Sequence, residues 1–282
     1  MIIDAHCHAW AHWPYQPPVP DPASRGSAAQ LLWEMEQNGV ERAVVICAGL
    51  GGNPGNNDYV AEAARASGGR LIAFADVDSR WWDHHHAPGA PARFRAELDR
   101  LRPIGITHYV DETADPGWFL GEEGDACLAL LEERGVVLSL ACGPLQVPTV
   151  AKAAERHPRL TILLHHMGRP RAGDGAALQA VLAGAARPNI HVKVSGFGYG
   201  VEEGWAFPYA PMQEVARALR DAYGADRLCW GSDYPVVRKF MTYRQSLEVV
   251  RSLCPFLDPA ERAAILGGTM DRLLTRASSR GR

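Results

Sequence analysis

The chain opens with Met1-Ile-Ile-Asp-Ala-His6-Cys-His8, a short, mostly apolar run that ends in two histidines one residue apart. Such a run is typical of a buried β-strand, in which residues i and i+2 point to the same side. The two imidazoles would therefore converge on one point, where they could hold a metal ion, a proton or a substrate oxygen. An isolated pair of this kind also occurs by chance in turns. Whether it marks a functional site therefore depends on the pattern of the rest of the chain.

Runs of this kind recur along the 282-residue chain, at residues 2–5, 42–47, 71–77, 104–110, 136–141, 160–165, 190–195 and 227–231. Most are almost continuously hydrophobic, as expected for parallel strands that are buried on both faces, and helical patterns lie between them. Eight strand–helix alternations predict a single-domain (β/α)8 TIM barrel over residues 1–275, followed by a C-terminal tail at 276–282 in which residues 278–282 are expected to be frayed. A doubly wound open sheet is the alternative. The lack of a Gly-x-Gly-x-x-Gly turn after the first strand weighs against it.

Composition and charge restrict the class of protein. The formal net charge is -3 and no basic run is visible, which argues against a nucleic-acid partner. No apolar stretch reaches the ~20 residues that span a bilayer, and the first strand begins without a leader. The six cysteines show no Cys-x-x-Cys spacing, which predicts reduced thiols. We therefore expect a cytoplasmic protein that acts on a small molecule, without a nucleic-acid or membrane partner.

Polar side chains collect at the ends of the predicted strands. In a barrel, the carboxyl ends of the strands face one shared pocket. Buried strands seldom tolerate unpaired charge, so this pattern predicts a functional site at that end. The residues concerned are His6, His8, Asp76, Asp78, His108, Asp111, Glu112, His165, His166, Arg169, Lys193 and Asp233.

Four motifs at these strand ends resemble the amidohydrolase superfamily. They are Asp4-Ala-His-Cys-His-Ala-Trp10, His165-His-Met-Gly-Arg-Pro170, Val192-Lys-Val-Ser-Gly196 and Trp230-Gly-Ser-Asp-Tyr-Pro235. More narrowly, they resemble its amidohydrolase-related branch, which includes sugar-acid and 2-pyrone-4,6-dicarboxylate lactonases and metal-dependent decarboxylases. The motifs fall on strands one, six, seven and eight, so the resemblance covers nearly the whole chain.

The resemblance implies that His6, His8, His166 and Asp233 form the catalytic core. In relatives the aspartate is a general base, or a metal ligand that also takes a proton. Metal-binding relatives usually add a histidine at the end of strand five, where this chain offers only Cys142. His6, His8 and Asp233 would still supply the three ligands of a catalytic zinc site. One divalent ion, zinc or manganese, therefore stays open, and no organic cofactor is expected.

Other strand-end residues are candidates for binding substrate. Arg169 and Arg238 could each hold a substrate carboxylate through two hydrogen bonds, and His108 is a candidate lining residue of the pocket. His165 is expected to point away from the pocket because successive strand residues alternate. As in the family, Lys193 is expected to be structural or paired with a neighbouring acid.

Two long loops are rich in aromatic residues and histidine. The loops after strands one and three are long, which is typical of functional loops. We expect their aromatic side chains to form a lid over the site; these are Trp10, Trp13, Tyr15, Trp81 and Trp82. The run of three histidines at 84–86 looks like a zinc cluster. Adjacent residues of an extended segment cannot all face one ion, so we interpret it as a lid or surface segment.

These features predict a hydrolase that acts on a lactone or a similar small cyclic ester bearing a carboxylate. Asp233 would activate water as general base, while His6, His8 and His166 would polarise the carbonyl group. One alternative is a metal-dependent, non-oxidative decarboxylase of the same branch. The other is a barrel that has lost catalysis and serves as a binding protein. Relatives are often dimers, so the resemblance allows a homodimer.

Overall fold

The fold was obtained as a computed structural model, which describes residues 1–16, 19–22 and 24–280. Eight parallel strands form one sheet in sequential order, and a helix follows each strand, so the predicted (β/α)8 TIM barrel is confirmed. The strands are β1 (Ile3–Cys7), β2 (Arg42–Ile46), β3 (Leu71–Asp76), β4 (Gly105–Tyr109), β5 (Val137–Ala141), β6 (Ile162–Leu164), β7 (Ile190–Val194) and β8 (Leu228–Trp230).

Helices surround the sheet. They are α1 (Ala28–Asn38), α2 (Asn56–Ala66), α3 (Ala90–Leu101), α4 (Glu122–Arg134), α5 (Val147–Arg156), α6 (Gly175–Ala183), α7 (Ala210–Tyr223), α8 (Tyr243–Arg251), α9 (Pro259–Ala263) and α10 (Thr269–Arg280). No helix of the described residues is long and apolar enough to cross a membrane. All six cysteines are buried and free, as expected for reduced thiols.

The C-terminal helix extends further than the sequence pattern indicated. Asp258 caps α9, which passes through the π-helical turn Ala264–Gly268 into α10. α10 continues to Arg280, and Ala277 packs into the apolar cluster inside the amino-terminal end of the barrel. The tail expected at 276–282 is therefore helical as far as Arg280 because this burial holds it. The last two residues lie outside the described ones, and the domain boundary at residue 275 stays a prediction.

β1 and β8 close the barrel through their loops. The backbone N–H of Asp233 donates to the His6 carbonyl oxygen at 2.7 Å, and that of His8 donates to the Tyr234 carbonyl oxygen at 2.6 Å. Gly231 makes this approach possible, since a Cβ atom at that position would lie 2.6 Å from the His6 Cβ. The closure brings the first and last motifs of the chain together.

Asp4 reinforces the same closure from inside the protein. Its fully buried carboxylate accepts hydrogen bonds from the backbone N–H groups of His6 and Ser232, at 3.0 and 2.9 Å. It also accepts from the hydroxyls of Ser232 and Tyr243, at 2.5 and 3.0 Å. Burial raises the pKa of this carboxyl to about 6 in spite of the four donors. Asp4 therefore ties β1 to the segment after β8 and to α8.

We predict that Asp4→Ala lowers the free energy of unfolding by about 3 kcal/mol, because four donors lose a buried acceptor. Urea denaturation followed by circular dichroism measures this change. Asp271→Ala is the matched control. It removes a partly exposed ion pair with Arg42 and should cost less than about 1 kcal/mol. Equal losses in both variants would contradict a closing role for Asp4.

Candidate active site

A cavity of about 560 Å³ opens at the carboxyl end of the strands. It is lined by His8, Tyr15, Leu50, Arg80, Trp81, Tyr109, Asp111, His166, Arg169, Tyr199, Asp233 and Val236. A larger cavity of about 650 Å³, between α3, α4 and α10, contains none of the predicted site residues. The cavity above the strands is therefore the candidate site, as expected for a TIM barrel.

Asp233 is buried at the base of this cavity, with a left-handed backbone at φ 59°. Its Oδ1 atom lies 3.3 Å from the Nε2 atoms of both His6 and His8, and its Oδ2 atom accepts a hydrogen bond from the Tyr199 hydroxyl. Burial alone would raise the pKa of Asp233. The neighbouring His166 and His8 and the Tyr199 hydroxyl outweigh it, so the pKa lies below its usual range. Asp233 is therefore ionised at neutral pH.

His8 presents one defined nitrogen to the cavity. Its Nδ1 atom lies 2.7 Å from the Ile46 carbonyl oxygen, which can only accept, so Nδ1 carries a proton. Nε2 then faces Asp233, either as a lone pair or as a second N–H group. Trp10 stacks on the ring with centroids 4.9 Å apart and donates its own N–H to the Ala48 carbonyl oxygen. The orientation of His8 is thus fixed by β2 and its loop.

His166 follows β6 in a left-handed conformation with φ 47°. Its Nδ1 atom lies 2.9 Å from the Ser195 hydroxyl. A Cβ atom on Gly196 would lie only 3.0 Å from the same Nδ1 atom, which accounts for the Ser-Gly pair after β7. Burial lowers the pKa of His166 well below its usual range, so the ring is neutral at pH 7.

A chain of buried polar groups crosses the barrel beneath the cavity. Lys193 Nζ lies 3.0 Å from His6 Nδ1 and 2.6 Å from the Ser139 hydroxyl, which in turn lies 2.7 Å from His165 Nε2. Burial lowers the pKa of Lys193 to about 7 and that of His6 well below its usual range. Lys193 makes no ion pair within the described residues, so of its two expected roles the structural one agrees with its contacts, and pairing with an acid does not.

The ring of His165 packs inside the barrel, 4.5 Å from the His6 ring, and is not among the residues that line the cavity. Leu163 belongs to the apolar cluster inside the barrel and Leu164 to the cluster shared with the helices, so strand alternation directs His165 inward. The left-handed turn at His166 then brings a second successive histidine to the same side.

His108 does not reach the described cavity. Its ring faces the helix layer, where Nδ1 lies 2.9 Å from the Val77 carbonyl oxygen and Nε2 lies 2.9 Å from His86 Nε2. The next residue, Tyr109, takes the position on the cavity wall. Because neighbours on a strand face opposite sides, His108 is excluded from substrate contact by its place on β4.

The two candidate arginines differ in position. Arg169 lines the cavity and makes an ion pair with Glu112 at 2.7 Å. Arg238 is exposed and lies beside Tyr234 and Glu34 on the side of α1, away from the cavity wall. The turn that follows Asp233 carries Arg238 outward, so this residue is not positioned to bind substrate.

The histidines of the loop after β3 form an aromatic stack. His86 lies between His85 and Trp118, with ring centroids 3.7 and 3.8 Å away, and it contacts His108 edge to edge. Ligand nitrogens of His85, His86 and His108 lie within 4.8 Å of one another. A metal ion must lie in the plane of each ligating ring, however, and His85 and His86 are stacked face to face with planes only 27° apart. This geometry favours packing over chelation.

Only part of the predicted aromatic lid borders the cavity. Tyr15 and Trp81 line it, whereas Trp10 is fully buried behind His8 and Trp82 packs against Gly49. Trp13 contacts the ring of Tyr15 but does not itself line the cavity.

Arg80, Tyr109 and Tyr199 also line the cavity and were not predicted from the sequence. Tyr199 follows the Ser-Gly pair of strand seven, and Arg80 follows the polar end of strand three. Their positions after strand ends were the available signal.

Comparison with known proteins agrees with this geometry. The family model described as amidohydrolase matches residues 3–276. The chain belongs to the amidohydrolase family. The amidohydrolase is 28% identical over 282 residues to an L-fucono-1,5-lactonase of Burkholderia ambifaria, covering 94% of this chain and 92% of that protein. These matches confirm the resemblance of the four motifs to the amidohydrolase superfamily. The protein is an enzyme of this superfamily.

Solved structures share the fold of the amidohydrolase. A zinc-bound amidohydrolase from Burkholderia multivorans superposes with a TM-score of 0.78 at 23% identity, covering 98% of this chain and 99% of that one. A Pseudomonas putida protein, provisionally described as a 2-pyrone-4,6-dicarboxylic acid hydrolase, superposes with a TM-score of 0.75 at 23% identity. That match covers 98% of this chain and 97% of the other.

His6, His8 and Asp233 fit a divalent ion. Two ligand atoms of a tetrahedral zinc ion, each bound at roughly 2.0–2.1 Å, lie about 3.3 Å apart. Both imidazole nitrogens lie at this distance from Asp233 Oδ1. The buried His6 Nε2 atom has no other hydrogen-bond partner among the described residues. Cys142 does not line the cavity, and burial raises the pKa of its thiol to about 12, so it is a poor substitute ligand.

We predict that zinc raises the melting temperature of the amidohydrolase through these three residues, because an ion that binds only the folded state stabilises it by mass action. Thermal unfolding with and without zinc measures the shift, which should disappear in His8→Ala. His12→Ala, at an exposed position, and His86→Ala, in the stacked cluster, are controls that should keep it. Loss of the shift in His86→Ala alone would place the ion in the stacked cluster.

Proposed function

We propose that the amidohydrolase hydrolyses the ester bond of a lactone, with Asp233 as general base. The observation that carries this proposal is the ionised Asp233 carboxylate at the base of the cavity, held by Tyr199 and flanked by His6 and His8. A base beside several imidazole groups is suited to acyl transfer to water. The relative named L-fucono-1,5-lactonase supports the same reaction class.

In this reaction, a water molecule lies between Asp233 and the lactone carbonyl carbon. Oδ2 accepts one hydrogen bond from Tyr199 and keeps a lone pair for a proton of that water. As the proton moves to Asp233, the water oxygen bonds to the carbonyl carbon and the carbonyl oxygen becomes an oxyanion. When the tetrahedral intermediate collapses, the bond to the ring oxygen breaks, and that oxygen takes the proton from Asp233. The product is an open-chain hydroxy acid.

The histidines stabilise the oxyanion by hydrogen bonding. His166 lines the cavity, is neutral and can donate from Nε2 when its Nδ1 atom accepts a hydrogen bond. His6 is fully buried and does not line the cavity, so it acts on Asp233 instead of contacting the oxyanion. His8 can donate from Nε2 only as imidazolium, because Nδ1 is already protonated. Donors fixed in place before the reaction stabilise developing charge more strongly than water does.

The ion that fits the site would be zinc or manganese, held by His6, His8 and Asp233. Bound there, it would polarise the carbonyl group and acidify water. No organic cofactor enters the proposed reaction.

We propose that the substrate is a sugar-type lactone recognised mainly through its hydroxyl groups. Both arginines on the cavity wall already face an acid, Arg169 with Glu112 at 2.7 Å and Arg80 with Asp111 at 4.0 Å. A substrate carboxylate would have to displace Glu112 from Arg169, whereas hydroxyl groups can bond to both members of a pair. The predicted carboxylate-bearing lactone is tested by comparing kcat/KM for matched lactones with and without a carboxylate.

We predict that Asp233→Asn lowers kcat for lactone hydrolysis by about 10³-fold, since an amide cannot accept the proton of water. Product formation on a panel of sugar lactones, followed with a pH indicator, measures this. Arg238→Ala, outside the cavity, is the control and should keep wild-type kcat. Full activity in Asp233→Asn would contradict the mechanism. Inactivity of the wild type on lactones, with CO₂ released from aromatic acids, would favour the decarboxylase alternative.

We predict that Tyr199→Phe shifts the acidic limb of the pH profile to higher pH. The hydroxyl of Tyr199 helps to hold the pKa of Asp233 low, so its removal raises that pKa. Asp233 then becomes ionised, and active as a base, only at higher pH. The profile of kcat/KM against pH measures the shift. Tyr209→Phe, whose hydroxyl bonds to backbone carbonyls away from the cavity, should leave the profile unchanged.

We further propose that the enzyme works in the cytoplasm. Its six free, buried thiols support a reducing compartment. The homodimer stays a prediction, which sedimentation at several protein concentrations can test.

A further inference from the structure

Lys193 is fully buried inside the barrel, and the proposed reaction gives it no role. It lies on β7 and extends across the interior toward β1 and β5. Its Nζ atom is 2.6 Å from the Ser139 hydroxyl and 3.0 Å from His6 Nδ1. Within the described residues its polar contacts are these two alone. A buried amine without a carboxylate is costly, so its placement against a site histidine needs an explanation.

The number of protons on each group in this row of hydrogen bonds determines which group donates and which accepts. An amine has at least two N–H groups whether or not it is charged. One N–H of Lys193 donates to the Ser139 oxygen, and the Ser139 hydroxyl is left free to donate to His165 Nε2 at 2.7 Å. A second N–H is available for His6 Nδ1.

The surroundings of His6 favour the same arrangement. A neutral imidazole carries one proton, so if Nδ1 accepts from Lys193, that proton is on Nε2. Nε2 lies 3.3 Å from the Asp233 carboxylate. An N–H group is attracted to this carboxylate, whereas a bare lone pair would be repelled by it.

We propose that Lys193 is a positioning residue that fixes His6 as the Nε2–H tautomer, which directs the Nε2–H group toward the Asp233 carboxylate at the base of the cavity. The catalytic part of this inference rests on the proposed lactone hydrolysis. The tautomer itself does not, because the N–H groups of Lys193 beside Nδ1 and the Asp233 carboxylate beside Nε2 both favour it.

The same hydrogen bond weakens the metal site. A metal ion needs a lone pair on His6 Nε2, so the imidazole proton would have to move to Nδ1, against the N–H of Lys193. His8 has no such obstacle, because its Nδ1 proton is held by the Ile46 carbonyl oxygen. Lys193 therefore weakens His6 as a metal ligand and favours it as a hydrogen-bond donor.

The test is NMR of ¹⁵N-histidine-labelled protein, which distinguishes protonated from unprotonated ring nitrogens. His6→Gln identifies the His6 signals. In the wild type we expect His6 to be protonated at Nε2 and to accept at Nδ1. A His6 ring protonated at Nδ1 in the wild type would overturn the proposal, and this result needs neither a Lys193 variant nor a substrate.

Variants test whether Lys193 causes the tautomer. Lys193→Met has a similar shape but no donor, and should give a mixture of His6 tautomers. Ser139→Ala breaks the same buried chain without touching His6, so it should keep the wild-type tautomer. An unchanged His6 signal in folded Lys193→Met would also overturn the proposal.

Two further readouts separate positioning from a general structural role. Lys193→Met should lower kcat for lactone hydrolysis by about 10²-fold with KM changed less than about twofold, while Lys193→Gln, which retains an N–H donor, should recover most of the loss. Zinc affinity, measured by calorimetry, should rise by about tenfold in Lys193→Met and stay unchanged in Ser139→Ala. Weaker zinc binding in Lys193→Met would contradict the inference even if lactones prove not to be the substrate.

Discussion

The closure of the barrel between β1 and β8 is the constraint on which the rest of the structure depends. Two backbone hydrogen bonds, from Asp233 to His6 and from His8 to Tyr234, join the first strand to the segment after the last one. The residues that make these bonds also carry the side chains of the site. The geometry of Asp233 between two imidazoles is therefore a consequence of folding, and Asp4 secures it from below.

The barrel interior is divided into two layers of different chemistry. At the amino-terminal end, Ile3, Val44 and Phe74 form an apolar cluster with Met270 of α10. This cluster supplies hydrophobic stabilisation at one end of the barrel. Toward the carboxyl end, histidine, serine and lysine side chains replace these residues and satisfy one another through hydrogen bonds. Burial of polar groups is costly unless they are paired, so the polar layer is constrained to a few arrangements of protons.

The sequence predicted the fold better than it predicted the direction of individual side chains. Each of the eight apolar runs overlaps a strand, because parallel strands buried on both faces give a strong local signal. Asp233, His6, His8 and His166 could be predicted because their motifs resemble a family. Arg238 could not be placed, because the left-handed residue Asp233 begins an irregular turn that no local pattern encodes.

His108 and Tyr199 show the same limit of prediction from sequence. His108 was predicted to line the cavity and does not, whereas Tyr199 was not predicted and does. His108 lies at a strand end, where site residues are expected. Its position on β4, one residue before the cavity-lining position, directs its side chain to the outer face of the barrel. Tyr199 lies in a loop, and only the folded chain brings its hydroxyl to Asp233. The stack formed by His86 and Trp118 likewise depends on contacts between separate loops.

In the proposed reaction, water activated by Asp233 attacks the lactone carbonyl carbon. A single turnover in H₂¹⁸O, with enzyme in excess over lactone and mass spectrometry of the product, distinguishes this attack from attack by Asp233 itself. If water attacks, the first-turnover product carries one ¹⁸O atom in its carboxylate and Asp233 carries none. An unlabelled first product, with ¹⁸O in the Asp233 side chain, would show that this carboxylate attacks the substrate and that Asp233 is not a general base.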